Sequence, residues 1–144
     1  MKKIIVPFKL LRIDKDGYHP ICILKINNKN ARFVIDTGAS KTVMDSNRIN
    51  LFTEKENIKN HHELSTGLGT SSMESKMVKI NSVKIGAYEI KNFQMILLDL
   101  SHVNNTYQML NHKPIDGVLG NDVLKKTNAV ISFPSKTVII SIKK

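Results

Sequence analysis

Residues 33–40 of this 144-residue chain read Phe-Val-Ile-Asp-Thr-Gly-Ala-Ser, an apolar strand that runs directly into a tight turn. The chain becomes apolar again at residues 41–44, so we expect the turn to lie against the core with Asp36 in a fixed position. A carboxylate held in this way suits acid–base chemistry. Gly38 permits a tight turn and close approach by another group, and the Thr37 hydroxyl can anchor the turn. Taken alone, the stretch is also compatible with an ordinary strand-ending Asp.

A second landmark lies downstream, where residues 115–124 read Ile-Asp-Gly-Val-Leu-Gly-Asn-Asp-Val-Leu. Two hydrophobic residues and a glycine, Val118-Leu119-Gly120, are followed by a pattern that predicts a short helix through residues 123–126. Asn121 or Asp122 is the expected N-cap of that helix, because both side chains accept hydrogen bonds from free backbone N–H groups. An ordinary strand–glycine–helix junction would look the same, so the order and spacing of the two landmarks carry the weight.

Together the two landmarks resemble those of the retropepsin-like (clan AA) aspartic proteases, which have an Asp-Thr-Gly turn and, later, two hydrophobic residues followed by a glycine and a helix. The resemblance implies an all-β acid protease barrel with one lobe per chain. It implies that the strand at residues 118–120 passes the turn, and that its glycine keeps a side chain away from the carboxylate. The residues implied are catalytic Asp36, Thr37 and Gly38, and substrate-binding Ala39, Ser40, Val118, Leu119 and Gly120.

A third, weaker signal lies between the landmarks at residues 64–72, Leu-Ser-Thr-Gly-Leu-Gly-Thr-Ser-Ser. Glycines at a hairpin tip leave the backbone mobile. Members of the family carry a flap at this position that closes over the substrate, and Gly67, Leu68 and Gly69 are the corresponding candidates for its tip. A plain surface hairpin stays an open alternative.

The rest of the chain predicts one domain, residues 1–144, that is mostly strand with one or two short helices. We expect strands over residues 4–13, 18–26, 31–35, 77–85 and 90–98, and a closing hairpin formed by residues 129–133 and 137–142. Residues 45–60 are interpreted as irregular with one short helix, and residues 101–113 as a loop. The N-terminus is interpreted as a first strand rather than a leader, because Pro7 and Lys9 interrupt its apolar stretch.

Peptide hydrolysis by this chemistry needs two carboxylates around one water, and the chain offers a single Asp-Thr-Gly. Asp116-Gly117 is not a second copy, because it lacks the hydroxyl residue. We therefore expect a homodimer in which each chain contributes Asp36, as the resemblance also implies; there the two Thr37 residues interlock across the axis. The alternative is a non-catalytic retropepsin-like module that dimerises or binds peptides.

The chain departs from retroviral members of the family at two positions. Those members have an acidic residue where this chain has Ser40, and an arginine where it has Asn121, and in them the two form an ion pair. Both partners are replaced here, so no charge is left unpaired. The change points to the bacterial-type single-domain members and leaves the strength of the dimer open.

Composition fits this interpretation and argues against other classes. The net charge is +10, but lysines are scattered and no nucleic-acid-binding motif is present, so we expect no specific nucleic-acid partner. A preference for acidic substrates is left open. The single cysteine, Cys22, lies in an apolar strand and predicts a reducing, cytoplasmic setting. The histidines lack metal-ligand spacing, no cofactor is expected, and no apolar run is long enough to span a membrane.

Overall fold

The structure is a computed structural model and describes residues 1–61 and 75–143. Its strands are β1 (Lys2–Arg12), β2 (Tyr18–Ile26), β3 (Lys29–Ile35), β4 (Val43–Asp45), β5 (Ile58–His61), β6 (Ser75–Ile85), β7 (Tyr88–Leu98), β8 (Gly117–Leu119), β9 (Val130–Ser132) and β10 (Thr137–Ile142). Two short α-helices follow β7 and β8, namely α1 (Ser101–Met109) and α2 (Asn121–Lys126). The predicted all-β class with short helices is confirmed.

Six of the strands close into a barrel, in the order β6-β7-β4-β8-β3-β2, because β2 also pairs with β6. The closing contact is short and joins Lys25 to Lys84 and Ile26 to Val83. Beyond β2 the sheet continues through β1 and β10 to β9, which is an end strand, and β5 forms the other end beside β6. The predicted closing hairpin is thus present as β9 and β10, and it packs back on β1 of the same chain.

The alternation of buried side chains along β3 fixes the position of the turn that follows this strand. Ala31, Phe33 and Ile35 are buried at every second position, with exposed fractions of 5% or less. Because successive side chains of a strand point to opposite faces, these three fix the strand in the barrel wall. The hairpin before β3 turns at Asn27 and Asn28, whose φ angles of 49° and 68° suit the two-residue turn that joins tightly paired strands.

The interior divides into a main core inside the barrel and a smaller cluster outside it. The smaller cluster has buried Ile21, Leu100, Tyr107 and Ile115 at its centre. Its members come from β2, the start and end of α1, and the segment before β8. α1 therefore packs across the outside of the barrel wall near the strands that carry the two landmarks.

The prediction of a loop at residues 101–113 is wrong, since α1 occupies most of it. Its sequence is polar and lacks the regular apolar repeat on which helix prediction depends. Tertiary contacts hold the helix instead. Tyr107 is fully buried, and the Asn104 side chain bonds both the N–H and the carbonyl of Ile115 and reaches the buried Asp45 carboxylate.

The segment at residues 45–60 is more ordered than predicted. Asp45 ends β4, two 3-10 turns follow at Ile49–Leu51 and Lys55–Asn57, and β5 begins at Ile58. Within the described residues, no helix is long and apolar enough to cross a membrane.

Candidate active site

The Asp36 turn is held by its own backbone. The Gly38 N–H donates to Asp36 Oδ1 at 2.8 Å, and the Ala39 N–H donates to the Asp36 carbonyl at 3.1 Å. The first bond fixes the carboxylate relative to the turn and leaves Oδ2 free of hydrogen bonds among the described residues. Ser40 lies on the far arm of the turn and is exposed.

The turn meets the core only at its two ends. Ile35 before it and Thr42 after it are buried, whereas Asp36, Thr37 and Gly38 are exposed in the single chain. The expectation that the turn lies against the core is therefore wrong for its apex. The apolar residues on either side anchor the ends, and the apex projects from the barrel wall.

The second landmark lies directly beside the turn. β8 runs parallel to β3, with Val34 opposite Val118 and Ile35 opposite Leu119. The ladder then continues into the turn, because the Asp36 N–H donates to the Leu119 carbonyl at 3.0 Å. The sequence prediction that this strand passes the Asp-Thr-Gly turn is thus matched by backbone hydrogen bonds.

Gly120 is required by the backbone of the turn rather than by the carboxylate. A Cβ at this position would lie 2.6 Å from the carbonyl carbon and oxygen of Lys41 and 3.0 Å from the Ala39 oxygen. Its φ of −103° is open to any residue, so close packing alone excludes a side chain. The expectation that Gly120 keeps a side chain away from Asp36 is therefore replaced by a tighter constraint on residues 39–41.

Polar contacts from the start of α2 tie the two landmarks together. The Asn121 N–H donates to the Ala39 carbonyl at 2.8 Å, and its side-chain amide donates to the Thr37 carbonyl at 2.6 Å. The Asp122 carboxylate accepts hydrogen bonds from the Thr42 N–H at 3.0 Å and from the Thr42 hydroxyl at 2.7 Å. The same hydroxyl accepts from the Gly120 N–H at 3.0 Å.

The structure differs from the predicted helix cap, and it gives the two residues after Gly120 a second role that the sequence did not predict. The N-cap position of α2 is Gly120, which has no side chain to cap the helix, but Asp122 Oδ1 accepts a hydrogen bond from the Val123 N–H in the first turn of α2 at 2.8 Å. Asn121 and Asp122 also bond the turn and so connect the start of α2 to it. The pair of short polar residues directly after Gly120 is the signal in the sequence, and it is compatible both with a helix N-terminus and with binding to the turn.

Asp116 is committed to the fold and is not a second catalytic carboxylate. It is 4% exposed, its Oδ1 lies 2.6 Å from Arg48 Nε, and its Oδ2 accepts from the Arg32 N–H at 2.8 Å. Asp45 is likewise buried and accepts from the N–H groups of Asn47 and Leu100. The turn therefore carries one exposed carboxylate, that of Asp36.

A cavity of about 420 Å³ opens beside Asp36 and Thr37. Its lining is mostly apolar and includes Val34 and Val118 on the paired strands, Val103 on α1, and Phe133 after β9. Of the residues implied to bind substrate, Val118 lines this cavity. Leu119 lies in the main core, Gly120 is buried under the turn, and Ala39 and Ser40 are not part of the lining. Gly67, Leu68 and Gly69 lie outside the described residues.

Other chemistries find no support at this site. Burial raises the pKa of the Cys22 thiol to about 12, and the side chain is 2% exposed, so it is a core residue rather than a nucleophile. Across residues 1–61 and 75–143, no group of three or more His, Cys, Asp or Glu side chains is arranged to hold a metal ion.

Comparison with known proteins places this geometry in a family. The family model described as "Aspartyl protease" matches residues 23–123, which include both landmarks. A search of the curated proteins finds no match.

Solved structures share the fold at low sequence identity. A retropepsin-like aspartic protease from Rickettsia conorii has 20% identity and a TM-score of 0.59, over 96% of this chain and 88% of that one. EIAV protease in complex with the inhibitor HBY-793 has 19% identity and a TM-score of 0.55, over 85% of this chain and all of that one. The retroviral protease-like domain of Ddi1 from Leishmania major has 14% identity and a TM-score of 0.55, over 83% and 86%. The chain therefore belongs to the aspartyl protease family and has the retropepsin-like fold.

Proposed function

We propose that this protein is an aspartic endopeptidase that works as a homodimer, with one Asp36 carboxylate from each chain. The observation that carries the proposal is the exposed Asp36 at the rim of an apolar cavity of about 420 Å³, on a turn fixed by the Gly38 N–H. A single carboxylate cannot supply both the acid and the base for peptide hydrolysis. An exposed turn is suited to meet a second copy of itself.

The chemistry follows from bringing two such turns together. Two carboxyl groups sharing one water cannot both ionise, so the pair holds one proton and titrates as a unit. The ionised group takes a proton from the water as its oxygen attacks the scissile carbonyl carbon. The protonated group donates its proton to the carbonyl oxygen, which gives a neutral tetrahedral diol. Collapse of the diol breaks the C–N bond as a proton passes to the leaving amine.

The surface around the turn supports the dimer. β9 ends the sheet, so its outer edge is unpaired within the described residues, and Val130 and Phe133 on this side are 59% and 54% exposed. A shallow cavity next to β9 is lined by Thr37, Asn121 and Ile131 among others. An unpaired strand edge flanked by exposed apolar residues is a template for pairing with another chain. A second copy centred on Asp36 would cover this surface.

The test compares wild type with Asp36→Asn on a diverse peptide library, with the mass in solution measured by sedimentation. Asp14→Asn is the matched control, because Asp14 also lies in an exposed turn and accepts from a backbone N–H two residues on, at 3.2 Å. We expect cleavage by wild type and the control and a loss of at least about a thousandfold in Asp36→Asn.

Three outcomes would contradict the proposal. Equal cleavage by Asp36→Asn would exclude Asp36 as the catalyst. Cleavage by a strictly monomeric protein would exclude the shared site. A dimer that binds peptides without cutting them would establish the non-catalytic module instead.

A further inference from the structure

His19 lines the same cavity as Asp36, and its ring is held from behind by α1. Nδ1 of His19 lies 2.7 Å from the hydroxyl oxygen of Tyr107, and the two ring centroids are 5.7 Å apart. Tyr107 is fully buried while His19 is half-buried. The imidazole thus forms part of the cavity wall, and the buried Tyr107 fixes the orientation of the ring.

The Tyr107 hydroxyl determines which ring nitrogen of His19 faces a ligand. Burial raises the pKa of Tyr107 to about 12, and Arg32 opposes this only in part. The hydroxyl therefore stays protonated at neutral pH. Nδ1 of His19 is its hydrogen-bond partner among the described residues, so we assign the hydroxyl as the donor to the neutral imidazole and as the acceptor from Nδ1–H when the ring is protonated. In the neutral ring the proton then resides on Nε2, which makes no hydrogen bond among the described residues. Nε2–H is a donor in both charge states of the ring.

The charge around His19 is asymmetric. Among the described residues that line the cavity, His19 is the only basic one and Asp36 is the only acidic one. β1 contributes Arg12 beside Leu11, which is opposite His19. The titratable and charged groups near His19, taken over β1, β2, β3 and α1 with its end, are Arg12, Tyr18, Arg32, Asp36, Tyr107 and His112. Asp36 is the one acidic side chain in this set, and His19 forms no ion pair with a carboxylate among the described residues.

We propose that His19 forms a subsite for an acidic side chain of the substrate, Glu or Asp, and that Tyr107 is the residue that positions it. The inference rests on the proposed function, because it names the substrate class for the same cavity. A carboxylate at Nε2 makes a charge-assisted hydrogen bond when the ring is protonated. The net charge of +10 favours the approach of acidic peptides as well.

The subsite gives specificity a pH dependence of its own. Histidine side chains change charge between pH 5 and 8, and a substrate Glu is ionised above about pH 4.3. The preference for Glu over Gln is largest when the ring and the substrate carboxylate both carry charge. It shrinks as the ring loses its proton, when Nε2–H is left as a neutral donor that Gln satisfies almost as well.

The experiment compares paired peptides that differ only in Glu or Gln, placed in turn at each position around a cleaved bond. The ratio of their kcat/KM values cancels the titration of the Asp36 pair. We expect wild type to favour Glu about tenfold at pH 5 and about twofold or less at pH 8. His19→Gln should bring the ratio near one at both pH values. His102→Gln, an exposed histidine on α1, is the matched control and should leave the ratio unchanged.

Tyr107→Phe tests the positioning role by a readout that simple loss of stability would not move. It keeps the ring packing and removes only the hydroxyl, so we expect the Glu preference at pH 5 to fall several-fold with little change for the Gln peptide. The same peptide pairs, labelled and titrated into Asp36→Asn protein, measure binding without cleavage.

The cleavage and binding measurements distinguish failure of the proposed protease activity from failure of the proposed His19 subsite. If wild type cuts no peptide, the proposed protease fails, and the Glu-to-Gln ratio of Kd values on Asp36→Asn still tests the subsite. A ratio that is the same in wild type and His19→Gln at pH 5, by cleavage or by binding, would overturn the subsite. An equal loss in His102→Gln would show a general charge effect and would overturn it too.

Discussion

Substitution of Gly120 by alanine tests how the two landmarks fit together. The added Cβ would lie 2.6 Å from the carbonyl carbon and oxygen of Lys41. Both atoms belong to backbone that is tied down on either side, by the Asn121 N–H bonded to the Ala39 carbonyl and by the contacts of Thr42. The turn cannot yield by rotating a side chain. It must shift as a unit, and the hydrogen bonds that hold it must lengthen.

Gly17 provides a control in which an added Cβ would have an equally short nearest contact. A Cβ there would also meet its nearest atom at 2.6 Å, but that atom is Oδ1 of Asp14, an exposed side chain that can turn away. Neither glycine has a positive φ. Replacing either by alanine removes a similar amount of entropy from the unfolded chain, worth about 0.4–1 kcal/mol. The difference between the two variants therefore isolates the backbone clash.

We expect the difference in the free energy of unfolding to be about 1–3 kcal/mol, the usual cost of forcing an extra group into a packed site. For a chain of this length it corresponds to a fall in Tm of roughly 2–12 °C. The assay is far-UV circular dichroism during denaturant and thermal unfolding, with all variants at one chain concentration, because dimerisation would couple stability to concentration. If the free energies of unfolding of Gly120→Ala and Gly17→Ala agree within about 0.5 kcal/mol, the steric explanation for Gly120 is wrong.

Three further predictions concern side chains around the site. Asp122→Asn removes the charge that accepts two hydrogen bonds from Thr42, so unfolding should become easier by about 1–3 kcal/mol in denaturant titrations. Arg48→Met should cost about 3 kcal/mol, because the carboxylate of Asp116 is only 6% exposed and loses its ion-pair partner, whereas Arg48→Met with Asp116→Asn should recover most of it. With its pKa near 12, Cys22 should be about one part in ten thousand thiolate at pH 8 and should react with a thiol reagent only after unfolding.

Each of these predictions has an outcome that would contradict it. Asp122→Asn with unchanged stability would mean that the turn does not need the anionic acceptor. A double variant no more stable than Arg48→Met alone would show that the unpaired charge of Asp116 is not the cause of the loss. Rapid modification of Cys22 in the folded protein would contradict its burial. Cys22 also gives stability a pH dependence. Because burial raises the pKa of the thiol in the folded state, the free energy of unfolding should fall as pH rises from about 9 toward 12.

The sequence was sufficient for the parts of the fold that local patterns encode. The strand at residues 31–35 and the hairpin of β9 and β10 could be predicted because apolar runs and turn residues are short-range signals. The proximity of Leu119 to the Asp36 turn came from the family likeness, since a parallel pair of distant strands leaves no local trace. The chemistry of Asp36 could be proposed for the same reason, by resemblance together with the need for two carboxylates.

What the sequence did not reveal depends on long-range contacts. α1 was missed because it is held by Asn104 and Tyr107, whose partners lie on other elements, while its own residues carry little helical periodicity. The bonds from Asn121 and Asp122 to the turn were missed because residues that cap a helix and residues that bind a turn are of the same types. The exposure of the Asp36 apex was misjudged because apolar neighbours indicate only where the ends of a turn are buried.

The parallel pairing of β3 with β8 also determines when, during synthesis, the hydrogen bonds that hold the Asp36 turn can form. The Asp36 N–H and the Ala39 carbonyl find their partners about 80 positions later in the chain, at Leu119 and Asn121. During synthesis at about 5–20 residues per second, the turn spends roughly 4–16 s outside the ribosome without them. Contacts of this sequence separation also form slowly in free chains. A nascent or truncated chain that lacks residues 119–121 therefore carries the Asp-Thr-Gly tripeptide without its supports, and the turn can be held in place only once those residues are available.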